Sequence, residues 1–215
     1  MGSILNIKRK RIAVFASGNG TNLQAIIDYS RDNDINGDVV FVLTDNPDSY
    51  ALERANNAGI NSECILLNKN MPRFEFDRKI SLVLKDKKID LVCLAGYMLL
   101  LSPDFVDEYK NKIMNIHPSL LPSFKGMHGI SDAFDYGVKV TGVTVHFVDH
   151  NLDNGPIIFQ EAVTINEGEN IEQLEKRIHE TEHRLYPLAV RYFCCGKLKI
   201  IGRKVLITEK GLNWK

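Results

Sequence analysis

A chain of 215 residues that is 44% apolar can bury one sizeable core but is short for two independent domains of ordinary size. Its 27 lysines and arginines balance 27 aspartates and glutamates, so no global field recruits a polyanion and nucleic acid is not an expected partner. No apolar run reaches membrane-spanning length, and the opening "MGSILN" lacks both the hydroxyl of a myristoylation signal at Asn6 and the apolar core of a secretion signal, so a cytoplasmic protein without membrane association is expected.

In chain order, the basic run Lys8 to Arg11 reads as a solvated lead-in to a first strand, "RIAVFAS". Helical and strand-like patterns then alternate: "TNLQAIIDYSRD", "DVVFVLT", "YALERANNAG", "SECILL", "FEFDRKISLVLKDKK" and "DLVCLAG". Such alternation predicts parallel strands joined by right-handed helical crossovers, a doubly wound sheet. After residue 138 two β-branched runs, "VTGVTVHFVD" and "GPIIFQEAVTI", flank the short polar "HNLDN" and predict a hairpin or tight reversal added to that sheet. A long helix over about 170–193 and two short strand-like pieces, "KLKII" and "KVLIT", complete the chain. The fold class is therefore α/β, a single domain with a mostly parallel, Rossmann-like sheet and an antiparallel C-terminal part. Cys64, Cys93, Cys194 and Cys195 show no CxxC pair, which suits reduced thiols better than a disulfide framework or a zinc site.

Three places carry chemistry. The loop "SGNGTN" follows a strand and opens a helix, where free backbone amides and the helix dipole favour an anion such as phosphate. The third glycine of a dinucleotide fingerprint is replaced by Leu23, and no Gly-Lys-Ser/Thr of a P-loop follows; read alone, the loop also fits a plain turn with Thr21 or Asn22 capping the helix. In "MNIHPSLLP", Asn115 and His117 are one strand repeat apart and share a side, and Pro118 stiffens the exit. Asp153 follows the next predicted strand. A histidine, an amide and a carboxylate at strand carboxyl ends suit acid–base and oxyanion chemistry, although His117 taken alone better fits a satisfied structural histidine and Asp153 alone better fits turn chemistry. "HETEH", residues 179 to 183, satisfies the HExxH zinc pattern, but on a helical wheel His179 and His183 fall away from the apolar face of Ile171, Leu174, Ile178, Leu185, Leu188 and Tyr192, with Glu182 at its border. No metal is expected there. The pair His146 and His150 lies across a strand and its following turn, and His146 is expected to pack near the cleft.

The strings "SGNGTNLQAI", "LAGYM", "NIHPSLLPSFKG", "TGVTVHFVD" and "LDNGPIIFQE" resemble, in order and spacing, the phosphoribosylglycinamide formyltransferase family, over about residues 11–195. The resemblance implies a mononucleotide-binding half over 11–110, a catalytic and folate-binding half over 111–195, and formyl transfer from 10-formyltetrahydrofolate, as co-substrate, to the amine of glycinamide ribonucleotide. It implies that Gly20, Thr21 and Asn22 hold the substrate phosphate and that Glu182 contacts the ribonucleotide. Arg73, Met98, Leu99, Leu100, Leu101 and Asn115 match the folate side. Asn115, His117 and Asp153 match the catalytic trio: the first two stabilise the oxyanion, His117 and a water relay the proton, and Asp153 favours the charged imidazole. Small-molecule substrates are the implied partners, and the chain is expected to act as a monomer or homodimer. Two positions depart from many members, Leu99 where an arginine is common and Ile130 where a second histidine is common. A tRNA-directed relative would need a further carboxy-terminal domain and a folate deformylase an amino-terminal one, so neither is the expected activity. A phosphate sensor on the same fold would keep the loop without needing the trio.

Overall fold

The apolar runs pair into one nine-stranded sheet in the computed structural model, which describes residues 9–32, 35–68 and 70–208. The "MGSILN" segment and Lys8 lie outside the described residues. The elements are β1 (Lys10–Phe15), α1 (Thr21–Asp32), β2 (Gly37–Thr44), α2 (Tyr50–Asn57), β3 (Asn61–Cys64), α3 (Arg73–Asp86), β4 (Leu91–Leu94), α4 (Pro103–Glu108), β5 (Ile113–His117), α5 (Gly129–Tyr136), β6 (Val140–Phe147), β7 (Ile157–Thr164), α6 (Ile171–Cys194), β8 (Leu198–Ile201) and β9 (Lys204–Ile207). The spatial order is β3-β2-β1-β4-β5-β6-β7-β9-β8. Strands β1 to β5 run parallel, β6 and β7 reverse against β5 and each other, and β8 and β9 form an antiparallel pair joined to β7 through β9. The order turns back between β1 and β4, so a crevice opens at their carboxyl ends, where open α/β sheets bind ligands.

Alternation along the strands sends side chains to two cores. Ile12, Val14, Cys93, Met114, Ile116, Val143 and Val145 face one side, covered by α1, α2 and α6; Ala13, Phe15, Val92, Leu94 and Ile113 face the other, covered by α3 and α4. Each large apolar side chain fully buried in this way contributes about 1.5–3 kcal/mol. Helix α6 begins one residue later than its sequence pattern predicts, because Asn170 closes a capping box: its side chain accepts from Gln173 N at 2.9 Å while the Gln173 side chain accepts from Asn170 N at 3.0 Å. Its buried face differs from the expected one. Ile171, Leu188 and Tyr192 are only partly covered, and Glu182 lies within the buried face at 4% exposure. Tyr186, fully buried on the same helix, donates its hydroxyl between the carbonyls of Leu94, 3.0 Å away, and Met114, 2.9 Å away, joining α6 to β4 and β5. Burial pushes its phenol well above the ordinary range, so it remains a neutral donor.

Several expectations change in the structure. β6 and β7 pair as the predicted hairpin, but their connection is no tight reversal; residues 148–156 form a longer loop in which Asp153 takes a left-handed φ of 47°. Thr21 and Asn22 lie inside the first turn of α1, and Gly20, whose carbonyl accepts from Gln24 N at 2.9 Å, occupies the capping position. The basic run is anchored as well as solvated: Arg9 pairs with Asp38 at 2.9 Å, Lys10 with Asp90 at 3.4 Å, and Arg11 Nε donates to Lys87 O at 2.6 Å. All four cysteines are free, with Cys93 and Cys194 buried; burial pushes both thiols up, that of Cys194 to about 12.

Tyr186→Phe removes one buried hydroxyl and leaves the ring in place, so it should cost about 1 kcal/mol. Urea unfolding should show a lower midpoint at an unchanged slope. A midpoint equal to that of the native chain would mean that the bridge between α6 and the sheet contributes nothing.

Candidate active site

At the carboxyl end of β1 the chain turns through Ser17 to Gly20 into α1. Three contacts fix this loop from below. Ser49, the N-cap of α2, donates its hydroxyl to Gly18 O at 2.7 Å, Arg54 Nε donates to Asn19 O at 2.7 Å, and Arg54 Nη2 donates to Asn19 Oδ1 at 2.7 Å. Gly20 has φ of 72°, and a Cβ there would lie 3.0 Å from Ala51 Cβ, so both backbone conformation and space call for glycine. The first-turn amides of α1 are thereby held open at the crevice, an anion-binding arrangement. Asn22 turns its side chain sideways, donating from Nδ2 to Glu182 Oε2 at 3.0 Å; His179 Nδ1 donates to the same oxygen at 2.9 Å.

The loop after β4 meets this one directly: Ser17 N donates to Gly96 O at 3.0 Å, Met98 N donates to Ser17 Oγ at 2.9 Å, and Ser17 Oγ donates to Asp45 at 2.5 Å. Within Met98–Leu101 the side chains divide. Met98 and Leu100 are exposed, at 57% and 68%, whereas Leu99 and Leu101 pack on the α3–α4 core. Only the first pair offers an open apolar surface, and Leu99 turns away from it. Arg73, the first residue of α3, lies with its guanidinium 5.0 Å above the Phe76 ring and 3.1 Å from Asp77.

The structure brings Asn115, His117 and Asp153 together. Asn115 and His117 face the same side of β5; Asp153 descends on them from the 148–156 loop and is 9% exposed. Its Oδ1 accepts from Asn115 Nδ2 at 3.4 Å, and its Oδ2 lies 3.5 Å from His117 Nδ1 and accepts from Gly126 N at 2.9 Å. His117 Nε2 lies 2.7 Å from Phe124 O, which can only accept, so that nitrogen carries a hydrogen. A Cβ on Gly155 would lie 1.7 Å from Phe147 O, so the loop can run this close to β6 only with glycine there.

A fourth member, His146, belongs to the cluster although only its nearness to the cleft was expected. Antiparallel pairing sets it opposite Asn115, and its Nε2 lies 3.2 Å from Asn115 Nδ2 and 3.8 Å from Asp153 Oδ1. Its Nδ1 is 2.8 Å from Phe147 O and donates to it, which leaves Nε2 to accept from the Asn115 amide. Burial holds the His146 pKa below its ordinary value against the opposing pull of the Phe147 carbonyl and Asp153. The cluster thus combines an amide with two N–H groups, a neutral imidazole that orients it and a second imidazole facing a carboxylate. Such a set can stabilise charge developing on an oxygen and carry a proton. The strand period supplies the signal for His146: it shares the pleat face of Asn115 when "VTVHF" is paired antiparallel to "MNIH".

In the "HETEH" segment the Glu182 carboxylate is buried and accepts from Asn22 and His179, whereas Glu180 is exposed; His179 is half exposed, and His183, expected to fall away from the apolar face, is partly buried. Among the described residues, no group of three or more His, Cys, Asp and Glu side chains is placed to hold a metal ion.

A buried histidine held neutral makes folding sensitive to acid. Because the folded pKa of His146 is depressed, the unfolded chain binds its proton first as pH falls below about 6.5, and stability declines from there toward the folded pKa. His183, also depressed by burial, acts in the same direction; His179, raised by its hydrogen bond to Glu182, acts in the opposite one and is largely screened by solvent. Urea titrations of the native chain and of His146→Gln between about pH 7.5 and 5.5 should show a shallower loss in the variant. Equal losses would remove His146 from the acid response.

The model of the formyl transferase family matches residues 10–190. The phosphoribosylglycinamide formyltransferase of Escherichia coli K12 is 40% identical over 189 residues, 88% of this chain and 89% of that protein. The human trifunctional purine biosynthetic protein adenosine-3 is 42% identical over 193 residues, which are 90% of this chain and 19% of that much longer protein. In structure, the chain resembles glycinamide ribonucleotide transformylase 1 from Symbiobacterium toebii with a TM-score of 0.93 at 44% identity, covering 97% of this chain and 99% of that one. A family match over most of the sequence, full-length relatives at this identity and a superimposable fold agree: the chain belongs to the formyl transferase family.

Proposed function

We propose that this chain transfers the formyl group of 10-formyltetrahydrofolate to the amine of glycinamide ribonucleotide, giving the formylated ribonucleotide of purine synthesis, and that it does so in the cytoplasm as a monomer or homodimer. The observation that carries the reading is the convergence of Asn115 and His117 of β5 with Asp153 of the loop after β6, two strands from an anion-binding loop. The likeness to full-length glycinamide ribonucleotide formyltransferases supports the choice of substrates.

On this reading residues 11–110 form the ribonucleotide half and residues 111–195 the catalytic and folate half. Gly20, Thr21 and Asn22 hold the phosphate at the start of α1, and Glu182, fixed by Asn22 and His179, accepts from ribose hydroxyls. Arg73, Asn115 and the Met98–Leu101 segment form the folate side, where the exposed side chains of Met98 and Leu100 suit a flat heteroaromatic ring. Bound there, the folate would supply the formyl carbon that the amine attacks. Asn115 turns one N–H toward the formyl oxygen as charge builds on it, giving up its contact to Asp153, which at 3.4 Å is already long. His117, turning its Nε2–H from Phe124 O, stabilises the same oxygen and with a water helps carry the proton from the attacking amine to the departing nitrogen, while the Asp153 carboxylate faces its Nδ1.

Purified protein, glycinamide ribonucleotide and 10-formyltetrahydrofolate should give the formylated ribonucleotide, followed by mass spectrometry; release of formate that does not need the ribonucleotide would point to hydrolysis instead. Asp153→Asn keeps shape and removes the charge, so kcat should fall by roughly a hundredfold or more with much smaller changes in either KM. Full activity in a folded variant would exclude Asp153 from the chemistry. Gly20→Ala, strained at φ of 72° and pressed on Ala51, should raise the ribonucleotide KM by about tenfold or more while leaving the folate KM alone. An unchanged ribonucleotide KM would overturn the phosphate assignment.

A further inference from the structure

A buried polar cluster lies behind the folate side, and its centre is a residue with no role so far. Asp77, on α3, is 1% exposed. A carboxylate is almost never buried so completely unless it is paired. One turn earlier on the same face, Arg73 stands at the first position of α3, where a cation is disfavoured by the helix dipole. Arg73 Nη2 lies 3.1 Å from Asp77 Oδ1, close enough for charge pairing but without hydrogen-bond alignment. The other carboxylate oxygen, Oδ2, accepts from Ser102 N at 2.5 Å. Ser102 is the N-cap of α4 and the residue that ends the Met98–Leu101 segment; its own hydroxyl makes no cap hydrogen bond. The Tyr97 hydroxyl, buried beside Arg73 at the other end of that segment, is kept neutral by burial, which pushes its phenol far up against the opposing charge of Arg73.

One carboxylate therefore touches both parts of the folate side, the guanidinium directly and the apolar segment through the amide that closes it. We propose that Asp77 is a positioning residue for folate binding: it sets the direction of the Arg73 guanidinium and the path of Met98–Leu101 and takes no part in formyl transfer itself. This rests on assigning Arg73 and Met98–Leu101 to the folate side, and it explains how a flexible side chain on α3 and a loop after β4 act as one surface. Interactions made equally with ground and transition states act on KM more than on kcat, which gives the role a signature that a general loss of stability does not have.

The test is a double-mutant cycle of Asp77→Asn, Arg73→Ala and the pair, with KM for both substrates, kcat and thermal midpoint measured for each. Asparagine keeps an oxygen for the Ser102 amide and turns an uncharged group toward Arg73. The expected result is a rise of about tenfold in the 10-formyltetrahydrofolate KM, with kcat within about twofold, the ribonucleotide KM unchanged, and no further rise when Asp77→Asn is added to Arg73→Ala. A folate KM that stays put in Asp77→Asn while Arg73→Ala raises it overturns the positioning role and leaves the folate assignment standing. An unchanged folate KM in Arg73→Ala overturns the assignment and the inference with it. Effects that add fully in the pair, or that raise both KM values together, mark a merely structural residue. If Asp77→Asn does not fold, Asp77→Ser takes its place in the cycle, and failure of both to fold assigns Asp77 to stability and overturns the proposal.

Discussion

The site depends on one buried carboxylate reached from three directions. Asp153 faces Asn115 and His117 from β5, His146 from β6 and the Gly126 amide from the loop after β5. A carboxylate at 9% exposure is tolerable only with such partners, since an uncompensated buried charge costs several kcal/mol. The requirement runs in both directions. The loop can deliver Asp153 only because the residue accepts a left-handed φ and because Gly155 lets the chain pass close to the Phe147 carbonyl. The trio is therefore held by backbone geometry as much as by its own contacts.

Antiparallel pairing at β5 and β6 makes the cluster possible. In the parallel part of the sheet, neighbouring strands end at the same edge and present loops side by side, which is how Ser17 after β1 meets Gly96 and Met98 after β4. Where β6 reverses, its last residues come to lie beside the middle of β5, and His146 is placed against Asn115 without belonging to any loop. The change of direction thus adds a rigid, buried imidazole to a crevice otherwise lined by loops. Ser17 joins the two loops at the switch point, so the proposed phosphate cradle and the proposed folate segment share one hydroxyl as a common support.

Much of this architecture was legible in the sequence because long periodic segments report burial directly. The strands β1, β2, β6 and β7 and the helices α1, α3 and α6 carry enough apolar repeats to be placed within a few residues. Helix α4, of six residues, is too short for a period to declare itself and packs against α3; α5, of eight residues like the legible α2, opens without a side-chain cap hydrogen bond and packs against α6. The motif strings gave away the neighbourhood of Asn115, His117 and Asp153 but not its detail. That the Asn115 amide is engaged by His146, that Leu99 turns inward while Met98 and Leu100 turn out, and that Asp77 lies beneath Arg73 all depend on register and helix face across separate segments. A single sequence holds those relations only implicitly.

The HExxH string shows the same limit from the other side. Its spacing is genuine, and on α6 the two imidazoles do stack, their centroids 6.3 Å apart and their planes nearly parallel. The buried carboxylate on this turn is Glu182, two residues beyond Glu180, the glutamate of the pattern. Glu182 is 4% exposed and already accepts from Asn22 on α1 and His179 on α6, so it ties the first turn of one helix to the middle of another. The pattern would use Glu180, which is exposed, as a zinc protease's general base; Glu182 instead stands behind the proposed phosphate loop and fixes its Asn22 end. Moving Glu182 toward solvent would leave Asn22 without this partner, so its burial and the shape of the loop are a single constraint.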